Sequence, residues 1–302
     1  MVVYAYKAYT FGGGQMELRV LRYFLAAVRE QGISKAADVM HVTQPTLSRQ
    51  IMDLEAELGT NLFERNNHTK RLTLTTAGLR FYEYACEIVE LSDKAKLEIS
   101  TKDKNLEGDV YIGAGESPVI SGIAKIIVGL KNEHPKFRYH FLSGDSFLLL
   151  EKLDRGLIDF AVVVDAVNVE KYNSLLLPWA DKNGILMRKD NPLAEKTLLT
   201  QEDLKGVSVL VSQQMMGEFK GRTIPFNIAG SYNLLYNASL LVKEGFACAL
   251  CIDGIADTSE ESPLVFRPVK DAPETRWNLV WRKGSQLSKA AEIFLEEVRK
   301  TV

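Results

Sequence analysis

Thr43-Gln44-Pro45-Thr46-Leu47-Ser48-Arg49-Gln50-Ile51 decides how the first third of this 302-residue chain folds. Pro45 stands where the first turn of a helix tolerates a missing N–H, and Leu47, Ile51, Leu54 and Leu58 then recur at helical spacing. A helix therefore opens at Thr43 or Gln44, and Gly59 ends it. Upstream, Leu18, Leu21, Leu25 and Val28 mark a first helix that Gly32 stops. Ser34 reads as the N-cap of a short second helix with Ala36, Ala37 and Met40 inside. Two such helices joined by His41-Val42-Thr43 make a helix-turn-helix pattern, whose second helix can enter a DNA major groove. Gln44, Thr46, Ser48 and Arg49 lie on or beside its free face. Gln can bond adenine at two points, Arg can do the same to guanine, and Ser can reach a base edge or a phosphate. A solvated amphipathic helix has the same spacing. Residues 32–75 also balance five basic side chains (Lys35, Arg49, Arg65, Lys70, Arg71) against five acidic ones (Asp38, Asp53, Glu55, Glu57, Glu64).

Downstream, Leu62-Phe63-Glu64-Arg65, a polar tip at 66–70 and Arg71-Leu72-Thr73-Leu74 read as a two-stranded wing. Thr75 caps a long helix whose Phe81, Tyr84, Ile88, Leu91 and Ala95 form a heptad-like stripe. From Thr76 to Ser100 it spans about 38 Å at about 1.5 Å per residue. So small a preceding domain does not cover so long a stripe, which calls for a partner helix.

The chain is about twice the length of a typical single domain, so two compact units are expected. Hydrophobic residues at 46% and charged residues at 25% exclude disordered and low-complexity classes. No run approaches the roughly 20 consecutive apolar residues of a membrane helix, so a soluble protein with no membrane partner is expected. Cys86, Cys248 and Cys251 are too few for a disulfide framework and point to a reducing compartment. The net charge of −2 gives no global sign of a nucleic-acid partner, so any DNA binding rests on local residues. Residues 1–15 lack the layout of a secretory signal, and Gly12-Gly13-Gly14 resembles an artificial linker. They read as an added extension, with Met16 as the natural start.

From Asp109 onward short β-rich runs alternate with helical stretches, and the boundary falls near 105–108. Strands at 110–113, 137–142 and 160–164 with helices at 119–130 and 146–155 are the signature of a parallel sheet with crossover helices. A similar series recurs in strands at 184–187, 207–211 and 247–252 with a helix at 235–244, so two sheet units are expected. A strand at 277–281 and a helix at 288–299 close the chain.

Residues 18–78 resemble the winged helix-turn-helix of the LysR-type transcriptional regulators. The resemblance rests on Phe24-Leu25-Ala26-Ala27, Gly32, Ser34, Ala36-Ala37, the run from Thr43 through Ile51, Leu54-Glu55, Leu58-Gly59, Leu62-Phe63-Glu64-Arg65 and Leu74-Thr75-Thr76-Ala77-Gly78, in order and spacing. Length and two-part layout extend it over the chain from Met16. It implies that Gln44, Pro45, Ser48 and Arg49 face the major groove, while the wing around Arg65 to Arg71 meets backbone and minor groove. Gln44 and Arg49 are then the base readers, with Thr46 beside them, and Lys35, Thr43, Arg65, Lys70 and Arg71 are phosphate contacts. The long helix matches the family's linker helix, which pairs with that of a second subunit on a pseudo-palindromic site. A dimer of such dimers, a homotetramer, is the expected assembly.

The same resemblance implies an α/β effector region like the periplasmic binding proteins, with two subdomains and a cleft. The expected organisation is a winged helix-turn-helix at 16–75, a dimerisation helix at 76–104 and an effector domain at 108–302. Subdomain I takes about 108–177 and 268–302 and subdomain II about 178–267, with crossings near Leu177-Pro178 and Phe266-Arg267-Pro268. Ser117 and Ser146 match effector-contacting positions, with Ser212 and Gln213 as the facing wall; the same serines also suit helix capping. Glu116 and Asp145 would oppose an anionic effector if they point inward, leaving a neutral or cationic one open. Gly245-Phe246-Ala247 departs from the family's usual Gly-x-Gly.

Cys248-x-x-Cys251 invites a metal or redox reading, but residues three apart on a strand face opposite ways, which favours buried apolar cysteines. The histidines have no metal-ligand spacing, Gly113-x-Gly115 lacks the third glycine of a dinucleotide fingerprint, and no cofactor is expected. The chain thus reads as a bacterial, cytoplasmic regulator rather than an enzyme, with duplex DNA, a small effector, RNA polymerase and its own copies as partners. Two alternatives stay open: a small-molecule-binding α/β protein whose helical segment only dimerises, and a redox-sensing regulator.

Overall fold

The structure is a computed structural model that describes residues 16–64, 72–100, 107–164, 168–219, 221 and 223–302. The extension at 1–15, the tip of the wing with Arg65, Lys70 and Arg71, and residues 105–106 of the expected boundary lie outside the described residues. The chain divides into two compact units, Met1–Ile99 and Ser100–Val302. No helix among the described residues is long and apolar enough to cross a membrane.

The first unit holds α1 (Leu18–Arg29), α2 (Ile33–Val39), α3 (Gln44–Leu58) and α4 (Thr76–Ser100). Leu21, Phe24, Leu47 and Leu62 are wholly buried at its centre, and Phe24 meets Phe63 at 5.3 Å and Phe81 at 5.1 Å between ring centroids. Ala27, Ala36 and Ala37 are equally buried, their small side chains letting α1 and α2 approach closely. The first three helices stop by one device, a 6→1 backbone bond closing over a left-handed residue. Gly32 N–H reaches Ala27 O, Val42 N–H reaches Ala37 O, and Thr60 N–H reaches Glu55 O. The left-handed residues are Gln31 (φ 51°), His41 (φ 54°) and Gly59 (φ 65°).

Three local expectations are corrected here. Gly32 does not supply the left-handed stop, which falls on Gln31; Gly32 is extended backbone and is itself the N-cap of α2. Ser34 accordingly lies inside α2. Leu58, expected inward, is exposed, because α3 has outrun the core that takes Leu47, Ile51 and Leu54. The wing is reduced, among described residues, to one antiparallel bridge between Phe63 and Leu74, with Glu64 N–H donating to Thr73 O at 2.9 Å.

Thr75 caps α4 as expected, its Oγ1 accepting from Gly78 N–H at 2.9 Å. The stripe of α4 splits. Phe81, Ala85 and Val89 turn onto the unit's own core, whereas Tyr84, Ile88, Leu91 and Ala95 stand exposed.

The second unit carries two five-stranded sheets. The first joins β1 (Gly108–Ala114), β2 (Phe137–Ser143), β3 (Phe160–Val164) and β4 (Tyr172–Asp181) with the late strand β10 (Thr275–Arg282), in the order β2-β1-β3-β10-β4. Helices α5 (Ile120–Glu133), α6 (Ser146–Asp154) and α9 (Lys289–Arg299) cover its faces. The second sheet joins β5 (Asn183–Arg188), β6 (Ser208–Ser212), β7 (Asn227–Tyr232), β8 (Cys248–Ile252) and β9 (Leu264–Pro268) in the order β7-β6-β8-β5-β9. With it go the short helix α7 (Met216–Phe219) and α8 (Leu235–Lys243).

In both sheets the strands that begin the βαβ units pair in parallel, while the strands bordering the crossings pair antiparallel. The chain passes from the first sheet to the second at Lys182 and returns across 269–274, close to the expected crossings near Leu177-Pro178 and Phe266-Arg267-Pro268. Those residues lie in the strands that lead into the crossings, β4 and β9. Pro178 is tolerated because β4 is an edge strand with no neighbour on its outer side. Cys248 packs on one face of the second sheet and Cys251 on the other, as their odd spacing requires.

Gly78 is required by contact rather than by φ: a Cβ there would stand 2.0 Å from the Leu62 carbonyl oxygen. Gly78→Ala is expected to destabilise the first unit by about 1–3 kcal/mol, as overpacking does, read as a lower urea midpoint for its unfolding transition.

Candidate functional site

Two surfaces qualify, one in each unit. In the first, α3 opens at Thr43, whose Oγ1 lies 2.7 Å from that of Thr46, so the two hydroxyls satisfy one another at the helix start. No acidic residue sits in that first turn, and its free N–H groups leave the positive end of the helix dipole open to an anion. Gln44, Pro45, Thr46 and Arg49 are exposed and Ser48 half-buried; Pro45 and Arg49 lie opposite buried Leu47, Ile51 and Leu54, and Gln44 is exposed because it opens the helix. Lys35 is exposed on α2. The candidate base and phosphate groups described here are thus open to solvent, Ser48 in part, while Arg65, Lys70 and Arg71 fall outside the described residues. Glu55, counted above as a local negative charge, is spent inside. Its Oε1 accepts from Leu62 N–H at 2.6 Å and Phe63 N–H at 3.1 Å.

In the second unit a cavity of about 490 Å³ lies at the carboxyl ends of β1 and β3, where the strand order reverses, and is closed on the far side by β6, β8 and the start of α8. Leu149, Val162, Val164, Leu250, Ile255 and Trp277 give it apolar walls. Asn183, Gln214, Asn233, Thr275 and Asn278 add neutral polar groups. Ser146 and Ser212 line it as expected; Ser117 and Gln213 do not. The single 3-10 turn after β6 (Gln213–Met215) turns Gln214 inward instead.

Ser117 is engaged elsewhere. Its hydroxyl donates to Asp181 Oδ2 at 2.5 Å and accepts from Val119 N–H at 2.9 Å. Asp181 also accepts from the Trp277 indole at 2.7 Å, and burial pushes its carboxyl above the ordinary range, partly offset by these two bonds. The cap of α6 is Asp145, accepting from Leu148 N–H at 2.9 Å, so Ser146 is not the capping residue. Glu116 reaches from the β1–α5 turn to the other subdomain, where its Oε2 accepts from Leu235 N–H at 2.6 Å at the start of α8. Sequence reasoning placed Glu116 and Asp145 beside the cleft without finding these partners.

Burial holds the Cys251 thiol up at about 12 and raises that of Cys248. A redox sensor needs a lowered thiol pKa, the opposite shift. Among the described residues no group of three His, Cys, Asp or Glu is placed to hold a metal ion.

Known proteins resemble the chain over both units. Residues 18–79 match the bacterial regulatory helix-turn-helix of the lysR family, and residues 103–302 match the LysR substrate binding domain. The regulator BsdA of Bacillus subtilis is 27% identical over 303 residues, covering 93% of this chain and 99% of its own. The regulator BudR of Raoultella terrigena is 25% identical, with the same coverage of both chains. In backbone, the chain superposes on full-length CbnR bound to its target DNA with a TM-score of 0.75, at 21% identity, over 95% of this chain and 100% of that one.

Asp181→Asn keeps an acceptor oxygen for Ser117 and Trp277 and removes the buried charge. Because the folded-state pKa is raised, the native carboxyl holds its proton longer than the unfolded one. Its contribution to stability is therefore present below about pH 4 and lost as pH rises through the raised value. Melting temperatures taken across the acid range should show this loss in the parent and not in the variant.

Proposed function

The chain belongs to the bacterial LysR family and is a helix-turn-helix transcriptional regulator rather than an enzyme, and from that premise we propose how its own residues do the work. The observation that carries the reading is the exposure of Arg49 on α3 opposite Leu47, Ile51 and Leu54, with Gln44 and Thr46 exposed in the first turn of the same helix. Gln44 and Arg49 read base edges in the major groove, with Pro45 and Ser48 against the same groove wall. Lys35, Thr43, Arg65, Lys70 and Arg71 hold phosphates and set the register.

The unpartnered face of α4, with Tyr84, Ile88 and Leu91 exposed, packs against the same face of a second copy. Two wings are thereby spaced on a pseudo-palindromic duplex, and two such dimers form the working tetramer. A small effector occupies the 490 Å³ cavity and favours one subdomain geometry over another. That difference in affinity is what changes DNA bend and contact with RNA polymerase. The reading places the protein in the cytoplasm and needs no cofactor besides the effector.

Arg49→Ala is expected to lose about 1–3 kcal/mol on the specific site and much less on random duplex. An unchanged ratio of specific to non-specific binding in competition titrations would remove Arg49 from base reading. Parent affinity should fall steeply with added salt. Ile88→Glu, which puts a charge on the exposed face of α4, should shift the mass measured by light scattering to a smaller species while leaving helicity intact.

A further inference from the structure

The effector cavity has an unusual balance of charge. Two helices of nine residues, α6 and α8, point their N-termini toward it, and such ends are where an anionic ligand would find free N–H groups. At each of them one N–H is already taken by a carboxylate of the chain. Asp145 accepts from Leu148 N–H at the start of α6, and Glu116 accepts from Leu235 N–H at the start of α8. Both residues line the cavity, and Glu274 lines it as a third acid, against Arg276 as the cation among the described lining residues. Glu274 and Arg276 are exposed, so water weakens both, whereas Glu116 and Asp145 are half-buried beside apolar walls that strengthen their field. Ser117, one of the two hydroxyls that sequence matches to the effector, donates its hydrogen bond to Asp181 instead.

Resting on the reading of this cavity as the effector site, we propose that it selects a ligand with no negative charge. Such a ligand presents N–H donors, as an amide, amine or amidinium, toward Glu116 and Asp145, and lays an apolar body against Leu149, Val162 and Trp277. A carboxylate would displace Glu116 from Leu235 N–H or lie beside two like charges. An N–H donor leaves both helix ends capped and adds hydrogen bonds to the free lone pairs of the same carboxylates. Glu116 comes from one subdomain and Leu235 from the other, so a ligand bonded to Glu116 also touches the hydrogen bond that joins the two across the cleft.

The test uses matched trios of one shape and three charges, benzoate, benzamide and benzamidine with their cyclohexyl and indolyl counterparts. Direct binding is measured to the full chain, to E116Q and D145N separately, and to S212F, which puts a ring into the cavity. The amide and amidine should bind at least about tenfold tighter than the acid. Either charge-removing variant should narrow that gap, and S212F should lose binding of the whole trio. An acid that binds as tightly as its partners and is lost in S212F overturns the charge selection and leaves the cavity reading standing. Binding that survives S212F, or no binding by any trio, overturns the cavity reading and this inference with it.

Discussion

The first unit depends on what happens to the backbone of one residue, Leu62. Its N–H is held by the Glu55 carboxylate of α3, and its carbonyl accepts from Thr75 N–H at 3.0 Å just before α4 begins. Gly78 then lies so close to that carbonyl that no side chain fits between. A buried backbone group left unpaired is costly, so both of the residue's backbone groups must be met. Here they are met by the two helices with different tasks, the one that carries Gln44 and Arg49 and the one that carries Tyr84, Ile88 and Leu91. The orientation of α3 relative to α4 is thereby set by a hydrogen-bonded backbone segment rather than by side-chain packing alone.

In the second unit the same economy applies to helix ends. Three N-termini around the cleft region are met by a side chain of this chain, Ser117 before α5, Asp145 at α6 and Glu116 at α8, while the short turn at Gln213–Met215 starts on Ser212 without one. Two of these caps are local, but that at α8 comes from 119 residues away. Asp181 and Trp277 anchor the Ser117 turn from the rim of the first sheet, and Tyr232 donates to Leu250 O at 2.6 Å on the wall of the second. The helix starts around the cavity are therefore partly committed, and its ligand-facing character rests on the apolar walls, the spare carboxylate lone pairs and polar side chains such as Ser146, Ser212 and Gln214.

Much of this architecture could be read from residue order because the inner strands and helices bury a full face. Strands such as Phe160–Val164 and helices such as Gln44–Leu58 announce themselves by dense apolar spacing. The strands that went unread, Tyr172–Asp181, Asn227–Tyr232 and Leu264–Pro268, are all edge strands, with one side unpaired and only part of a face to bury. Their sequences carry Asn, Gly, Ser, Arg or Pro where an inner strand would carry Val or Ile, so the alternation is weak. Ser146 and Ser212 were legible at the cavity because they follow strand ends. Glu116 bonding Leu235 was not, since no local pattern reports a contact between the first and second sheets. Gln31 and His41 were missed as helix stops because left-handed geometry is read from glycine, and here the 6→1 backbone bonds impose it on other residues.

The two passages between the sheets are unequal, Lys182 alone in one direction and residues 269–274 in the other, and Asn183 stitches them together. Its Nδ2 donates to Pro273 O at 2.7 Å and to Thr275 Oγ1 at 2.8 Å. The two straps are thus tied to one another on one side of the cleft, and Glu116 on Leu235 N–H ties the sheets again across it, so whatever seats between them is accommodated against two fixed points rather than one.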